Sequence, residues 1–255
     1  MKALKWDYST LASGYDDRAD YDGDLIELVV KLQALDEKAC LLDVGAGTGK
    51  LTKILVSNPF QVIASEPNSE MRRIGQINVK KSNCEWRAEA AENLSLPNQS
   101  IDSVWFGSSF NVIEHKTFFE KFTQFAKRES WITCMWNHRN LEDPIQSKVE
   151  EIIKSRIADY NYGSRREDPS VILNNTGLFG EIIHVTSDFE VTQSTGAYFN
   201  AWKSHGTLRR QCNSEQQFNS ILDDIQELLR NSSEISIPFT TKIWTTKRST
   251  KFQAS

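Results

Sequence analysis

Short runs of apolar residues recur along the chain and alternate with segments of helical spacing. Each run is bounded by polar or turn residues and is too short for a buried helix, so each predicts a strand. The predicted strands are Cys40–Gly45, 61–65, 84–88, 101–106 and 131–137. Helical spacing in the intervening segments, such as Lys50–Ser57, completes an alternation of strand and helix. This alternation predicts a parallel sheet that helices cover on both faces.

Three segments carry apolar residues at the spacing of an amphipathic helix. Residues 24–35 form the first, ahead of the first strand. The second has an apolar stripe that we expect to face the sheet: Phe118, Phe119, Phe122, Phe125 and Ala126. The third begins at a capping box, Ser214 to Gln217, and continues with Phe218, Ile221, Leu222, Ile225, Leu228 and Leu229. We therefore predict three helices that pack against a core.

Apolar and polar residues alternate again near the end of the chain. Ile235, Ile237 and Phe239 predict a strand, and Pro238 favours an edge or a bulge because proline cannot donate a ladder hydrogen bond. No internal repeat and no linker rich in proline and glycine divides the chain. We therefore expect one domain over residues 1–255.

Composition and charge mainly exclude classes of partner. The 255 residues are 39% apolar, enough for a substantial core, while a net charge of −4 disfavours a nucleic-acid-binding face. No apolar run approaches the length of a membrane span. We expect a cytoplasmic protein without nucleic-acid or membrane partners, as a monomer or a homodimer. The four cysteines and four histidines lack metal-ligand spacing, so we expect no metal site.

The segment with the most chemical information is the glycine-rich Asp43–Gly49, where a predicted strand turns into a helix. Glycines allow a backbone to adopt positive φ and to approach a ligand closely. A dinucleotide fingerprint is incomplete here, because Lys50 stands at the place of the third glycine. A phosphate-binding P-loop is also missing, because Leu51 follows that lysine. The alternatives are a loop for another cofactor and a tight turn without a ligand.

The pattern Asp-x-Gly-x-Gly-x-Gly resembles motif I of class I S-adenosylmethionine-dependent methyltransferases. Glu66, at the end of the second predicted strand, matches the acid with which this family binds the ribose diol. "AAENLSLPNQSIDSVWF" at 90–106 resembles the family's stretch that passes the adenine. The resemblance implies S-adenosylmethionine as cofactor and S-adenosylhomocysteine as product. It assigns cofactor contacts to Asp43, Gly45, Ala46, Gly47, Gly49, Glu66, Pro67, Met71, Ala91, Glu92 and Ser108.

The segment 11–21, "LASGYDDRADY", resembles the N-terminal cover of small-molecule methyltransferases of the trans-aconitate and ubiquinone-biosynthesis type. The implied fold is α/β, a Rossmann-like, doubly wound and mostly parallel seven-stranded sheet with helices on both faces. An acceptor lid would be inserted before the last strand. Within the single domain, the resemblance implies cap helices in 1–39, a cofactor-binding core in 40–137, and an acceptor-binding region with the C-terminal strands in 138–255.

Methyl transfer from a sulfonium mainly requires that an acceptor lone pair be aligned, although a base helps some acceptors. Many relatives carry a His-Trp pair after the fourth strand, where this chain has Asn111, which can orient but not deprotonate. The candidate bases are therefore His138, after the fifth strand, and His205, in the excursion before the last helix. For His138 the alternative is a solvated side chain.

Further candidates for the acceptor site are Tyr15, Arg18, Tyr21, Asn111, Trp136 and Asn137. Packing is the alternative for the aromatic residues, and an ion pair with a neighbouring aspartate is the alternative for Arg18. The Asn/Asp-Pro-Pro-Tyr signature of many N-methylating relatives is missing, since 105–108 reads Trp-Phe-Gly-Ser. We therefore expect methyl transfer to a small molecule, with oxygen favoured over nitrogen. The alternative is a non-methylating S-adenosylmethionine-binding protein on the same fold.

Overall fold

The structure is a computed structural model that describes residues 12–162 and 167–249. Its strands are β1 (Cys40–Val44), β2 (Gln61–Ser65), β3 (Cys84–Arg87), β4 (Ile101–Gly107), β5 (Ala126–Arg139), β6 (Phe179–Ser194) and β7 (Glu234–Arg248). Its helices are α1 (Ala12–Asp16), α2 (Gly23–Leu32), α3 (Lys50–Leu55), α4 (Ser69–Asn78), α5 (His115–Phe125), α6 (Pro144–Arg156), α7 (Ser170–Asn175), α8 (Thr195–Lys203), α9 (Gly206–Gln211) and α10 (Glu215–Leu229). Short 3₁₀ turns span Ala91–Asn93 and Phe110–Val112.

The strands form one seven-stranded sheet in the order β3-β2-β1-β4-β5-β7-β6. The first five strands of this order are parallel to one another. Strand β7 runs antiparallel to β5, because Thr133 bonds to Thr245 whereas Asn137, further along β5, bonds to Thr241. The predicted mostly parallel, seven-stranded α/β fold is confirmed.

The predicted start of the fifth strand and the predicted edge position of Pro238 are wrong, whereas a bulge at Pro238 stays a prediction. Strand β5 begins at Ala126, which pairs with Ile101, so α5 ends at Phe125 and the strand starts five residues before the predicted 131. Strand β7 lies between β5 and β6, so Pro238 is not on an edge strand. Proline has no N–H to donate, and the hydrogen bonds of Pro238 are made by its carbonyl. This carbonyl accepts the Asn140 N–H at 3.2 Å and the Gln146 side-chain amide at 2.6 Å.

The spatial contacts between residues divide the described part of the chain into two compact units. We call residues 21–137, 167–187 and 241–249 the core unit, and residues 12–20, 138–162 and 188–240 the helical unit. The boundaries pass through β5, β6 and β7. Among the residues described, no helix is both long enough and apolar enough to cross a membrane.

In the core unit, neighbouring residues of each central strand pack into different apolar clusters, as the alternation of side chains along a strand requires. One cluster holds the predicted phenylalanine stripe of α5, with the Phe118 ring 5.2 Å from that of Phe106 on β4. The other combines α2 and α3 with Leu41 and Trp105. Helices thus cover both faces of the sheet, as the sequence predicts.

The helical unit has an apolar core of its own, shared by α6, α8, α9, α10 and the first half of β7. The predicted capping of α10 is present, because the Ser214 hydroxyl accepts the Gln217 N–H at 3.1 Å. The reciprocal bond is shifted by one residue, since the Gln217 side chain accepts the N–H of Asn213. Helix α1 is held by Ser204, whose hydroxyl donates to the Gly14 carbonyl at 3.0 Å.

Candidate functional site

The glycine-rich loop follows β1 and is bonded to the end of β2. The N–H groups of Gly45 and Ala46 donate to the Ser65 carbonyl at 2.8 and 3.0 Å. Gly45, Gly47 and Gly49 have φ values of 70°, 58° and 86°. Residues with a Cβ atom rarely adopt this left-handed region, which explains the alternation of glycines in the sequence.

The loop after β4 packs directly on this glycine loop. A Cβ atom at Gly45 would lie 2.7 Å from Cβ of Ser109. The Ser109 hydroxyl donates to the carbonyl of Val44 at the end of β1. The two loops are therefore held in fixed positions next to each other.

Glu66 extends from the end of β2 toward the glycine loop. One carboxylate oxygen, Oε2, accepts the N–H of Gly47 at 2.9 Å, and the other, Oε1, accepts the N–H of Asn68 at 2.8 Å. The side chain is largely buried, and this burial raises its pKa against the opposing effect of the two backbone bonds. Each oxygen can accept a second hydrogen bond. The carboxylate is thus oriented by the backbone and can still accept the two donors of a diol.

Behind the loop, two buried polar atoms lack a hydrogen-bond partner within residues 12–162 and 167–249: Asp43 Oδ1 and Thr48 Oγ1. The other oxygen of Asp43 accepts the Thr52 hydroxyl at 2.6 Å. Burial raises the pKa of Asp43 to about 7. Since buried polar groups normally find a partner, these two atoms fit a site that receives water or a polar ligand.

Ser108 and Tyr21 meet at the end of β4. Their hydroxyl oxygens are 2.9 Å apart, and the Ser108 N–H donates to the Met135 carbonyl at 2.9 Å. A Cβ atom at Gly107 would lie 3.2 Å from the Tyr21 hydroxyl, so the phenol lies directly against the strand. The structure therefore brings together two residues that the sequence analysis assigned separately, one to cofactor and one to acceptor.

The remaining predicted cofactor residues follow β2 and β3. Pro67 is exposed before α4, whereas Met71 is buried on that helix. Ala91 is buried in the first 3₁₀ turn, and the Glu92 carboxylate accepts the N–H of Glu114 at 2.7 Å. Because the carboxyl ends of parallel strands lie at one edge of a sheet, these residues share that edge with Glu66.

Three predicted acceptor residues of the core unit have structural contacts. The Asn111 amide donates to the Glu167 carbonyl at 3.2 Å, and Asn137 accepts the Thr241 hydroxyl at 2.6 Å. Trp136 is buried in the core with its ring 5.3 Å from that of Trp244. Its packing is the alternative named above, and its contact with an acceptor stays a prediction.

The other four candidates, Tyr15, Arg18, His138 and His205, belong to the helical unit. The guanidinium of Arg18 lies 4.0 Å from the Tyr15 ring centroid and donates to the Ser204 hydroxyl at 3.2 Å. His205 is the N-cap of α9, where its Nδ1 accepts the Leu208 N–H at 3.2 Å. The structure thus gives Arg18 and His205 positioning contacts within their own unit.

Sequence reasoning missed Thr52 and Ser109, which hold Asp43 and the end of β1. A signal for Thr52 was its place early in α3, one turn after the loop. Among residues 12–162 and 167–249, no group of three or more His, Cys, Asp or Glu side chains is placed to hold a metal ion.

The methyltransferase domain family matches residues 42–134 of the chain. This segment contains the glycine loop, Glu66 and the end of β4. Residues 42–134 are thus similar to a methyltransferase domain. Outside the matched segment the chain continues for more than a hundred residues, which include the helices of the helical unit.

Two relatives from Schizosaccharomyces pombe are similar over part of their length. An uncharacterised methyltransferase-like protein is 27% identical over 154 residues, 60% of this chain and 58% of the relative. An uncharacterised methyltransferase is 26% identical over 138 residues, 54% of each chain. The chain thus spans little more than half the length of these curated relatives.

A solved structure supports the fold over nearly the whole chain. A candidate type II methyltransferase from Anaeromyxobacter dehalogenans superposes with a TM-score of 0.62, over 90% of this chain and 97% of that one. The sequences are 15% identical, so this likeness establishes the fold alone.

Proposed function

We propose that the chain binds S-adenosylmethionine and transfers its methyl group to a small-molecule acceptor, with S-adenosylhomocysteine as product. The observation that carries this proposal is the arrangement of the glycine loop and Glu66 within a segment that is similar to a methyltransferase domain. When bound, S-adenosylmethionine supplies a methyl carbon that the positively charged sulfur makes electrophilic. The residues of the chain hold, orient and desolvate the reactants.

Each part of the loop has a separate binding task. Gly45 and Gly49 let the backbone approach the cofactor, and Glu66 accepts the ribose hydroxyls with its remaining lone pairs. The buried oxygens of Asp43 and Thr48 provide further polar partners behind the loop. Met71 and Ala91 offer apolar contact to the adenine. This division accounts for most of the cofactor residues that the family resemblance assigns.

On the acceptor side, the paired hydroxyls of Tyr21 and Ser108 lie at the end of β4 and can orient an acceptor oxygen. An oxygen acceptor is favoured because the polar N-methylation signature is missing at 105–108, where Trp105 and Phe106 are core residues. The N-terminal resemblance to small-molecule methyltransferases supports an acceptor of low molecular mass. His138 and His205 remain the candidates for a base. If one of them is the base, its substitution by asparagine should lower kcat.

The proposal is tested by calorimetric titration of the protein with S-adenosylmethionine and S-adenosylhomocysteine. Glu66→Ala removes the acceptor for the diol and for the Gly47 N–H, and we expect affinity for both ligands to fall at least tenfold. Glu70→Ala is the matched control, because this carboxylate on α4 is 42% exposed and pairs with Arg73. It should bind like the wild type.

Two results would contradict the proposal. One is that the wild type binds neither ligand, and the other is that Glu66→Ala binds both with unchanged affinity. Binding without product from any acceptor would favour the alternative, a non-methylating S-adenosylmethionine-binding protein. The sequence supports that alternative, because 110–112 reads Phe-Asn-Val where many relatives carry a His-Trp pair.

A further inference from the structure

Asp43 is a fully buried carboxylate of the core unit. The residue lies on β1, where it pairs with Ala64 of β2 and with Trp105 of β4, and it has no exposed surface. Its Oδ2 accepts the Thr52 hydroxyl at 2.6 Å, whereas its Oδ1 has no hydrogen-bond partner within residues 12–162 and 167–249. Among the described residues, the side chain is therefore shielded from solvent and held by Thr52 alone.

In the part of the chain that the structure describes, no cation balances the charge of this carboxylate. The charged group that acts on Asp43 is a second carboxylate, Glu66 at the end of β2. Cys84 on β3 also interacts with Asp43, but burial and then Asp43 itself raise the pKa of this thiol to about 11, so it is neutral at physiological pH. The neighbours on α3 and β4, Thr52 and Trp105, carry no charge. Because a buried charge is normally paired, Asp43 calls for a proton or for a positively charged ligand.

Asp43 is coupled to the glycine loop through its neighbours. It stands two residues before Gly45, and the hydroxyl of Thr48, inside the loop, is also buried without a partner in residues 12–162 and 167–249. Glu66, whose charge acts on Asp43, accepts the Gly47 N–H at 2.9 Å. Solvent and salt screen charges poorly at a buried site. A charge that binds at the loop will therefore change the ionisation of Asp43.

The proposed cofactor and its product differ in charge. The sulfur of S-adenosylmethionine is a sulfonium and carries a positive charge. In methyl transfer the bond between this sulfur and the methyl carbon breaks, its electron pair stays on the sulfur, and the methyl carbon bonds to the acceptor. The sulfur of S-adenosylhomocysteine is therefore neutral. An ionised Asp43 attracts the first ligand more strongly than the second.

We propose that the charge of Asp43 makes the site favour S-adenosylmethionine over S-adenosylhomocysteine, and that Thr52 is a positioning residue that keeps Asp43 ionised. This inference rests on the proposed function for the identity of the two ligands. Burial raises the pKa of Asp43 to about 7, and the Thr52 hydrogen bond opposes this shift. The negative charge is thus present above this pH and lost below it. The preference for the cationic ligand should therefore grow as the pH rises through about 7.

The test is calorimetric titration of the protein with each ligand at about pH 6 and about pH 8. The quantity compared is the ratio of the Kd for S-adenosylhomocysteine to the Kd for S-adenosylmethionine. Asp43→Asn removes the charge and keeps the shape of the side chain. Between the two pH values, the ratio should rise about threefold more in the wild type than in this variant. The amino groups of the ligands titrate in the same way with both proteins, so this difference is caused by Asp43.

Two variants of Thr52 test its positioning role. Thr52→Val keeps the shape of the side chain but removes the hydroxyl that lowers the pKa of Asp43, so the charge should appear only at higher pH. Thr52→Ser retains a hydroxyl and should restore the wild-type midpoint. Carbon-13 NMR of the Asp43 carboxyl measures this midpoint in the ligand-free protein. A purely structural role of Thr52 would not move it.

The control is Glu70→Gln, which removes a carboxylate that is 42% exposed on α4 and should keep the pH dependence of the wild type. The proposal is overturned if the wild type and Asp43→Asn show the same pH dependence, or if Thr52→Val leaves the midpoint unchanged. Binding of both ligands with a ratio that does not depend on Asp43 refutes this inference alone. Failure of both ligands to bind at either pH refutes the proposed methyltransferase function, and this inference with it.

Discussion

At the scale of single residues, Gly45 occupies a position with no room for a side chain. Its φ of 70° is left-handed, and an added Cβ would lie 2.7 Å from Cβ of Ser109. Gly45→Ala should therefore lower the free energy of unfolding by about 1–3 kcal/mol, from backbone strain and from displacement of Ser109. Urea unfolding measures this loss, and cofactor affinity should fall with it.

Gly23→Ala is the matched glycine control for this prediction. Gly23 is the first residue of α2, and an added Cβ would meet nothing within 4 Å. Alanine there should leave stability unchanged or raise it by about 0.4–1 kcal/mol, because the unfolded chain loses conformational freedom. Equal losses in the two variants would show that strain at the loop is not the cause.

At the scale of elements, the end of α5 depends on Arg248 of β7. The guanidinium donates to the carbonyls of Ala126 and Thr123 at 2.8 and 3.4 Å, groups that a helix end leaves without an intrahelical partner. Arg248→Met keeps the aliphatic packing and should cost about 1.5–3 kcal/mol of unfolding free energy. The adjacent Lys247→Met removes only an exposed ion pair with Glu129 and should cost less than about 0.5 kcal/mol. Similar losses would contradict a capping role.

The same contact explains where sequence reasoning about elements succeeds and fails. The apolar spacing of α5 is a local pattern, and the predicted stripe is indeed core. The early start of β5 at Ala126 depends on pairing with Ile101 and on the distant Arg248. Pro238 was assigned to an edge or a bulge from its missing N–H alone, whereas its carbonyl makes contacts in a strand that lies in the interior of the sheet. Local periodicity predicts an element, but its limits and neighbours depend on residues far away in the chain.

At the scale of the whole molecule, the candidate site also combines a local motif, which a sequence can reveal, with contacts between residues far apart in the chain, which it cannot. The glycine loop and Glu66 form a local motif with a known spacing, and the structure joins them by a bond from Gly47. The meeting of Tyr21 with Ser108 spans 87 positions, and that of Arg18 with Ser204 spans 186. No local pattern identifies such a partner. The contact between the glycine loop and Glu66, both assigned to the cofactor, was therefore easier to predict from sequence than the contacts of residues assigned to the acceptor.

A buried polar network also connects residues that are far apart in the chain. It joins Gln33, which directly follows α2, to three strands of the core unit. The Gln33 amide donates to Thr133 and Thr245 at 2.9 and 3.2 Å, and its carbonyl accepts the hydroxyl of Ser103 at 2.8 Å. Gln33→Met leaves these buried hydroxyls with fewer partners and should cost about 2–4 kcal/mol of unfolding free energy. The control is Gln61→Met at an exposed position of β2, which should change the free energy of unfolding by less than about 0.5 kcal/mol.

A double-mutant cycle separates the network from simple packing. Ser103→Ala removes the hydroxyl that Gln33→Met leaves without its acceptor, so the double variant should be less destabilised than the sum of the two single variants. We expect a coupling of about 1 kcal/mol from urea unfolding. Additive losses would mean that water replaces the glutamine amide. In that case the network would not be what holds α2 against β4, β5 and β7.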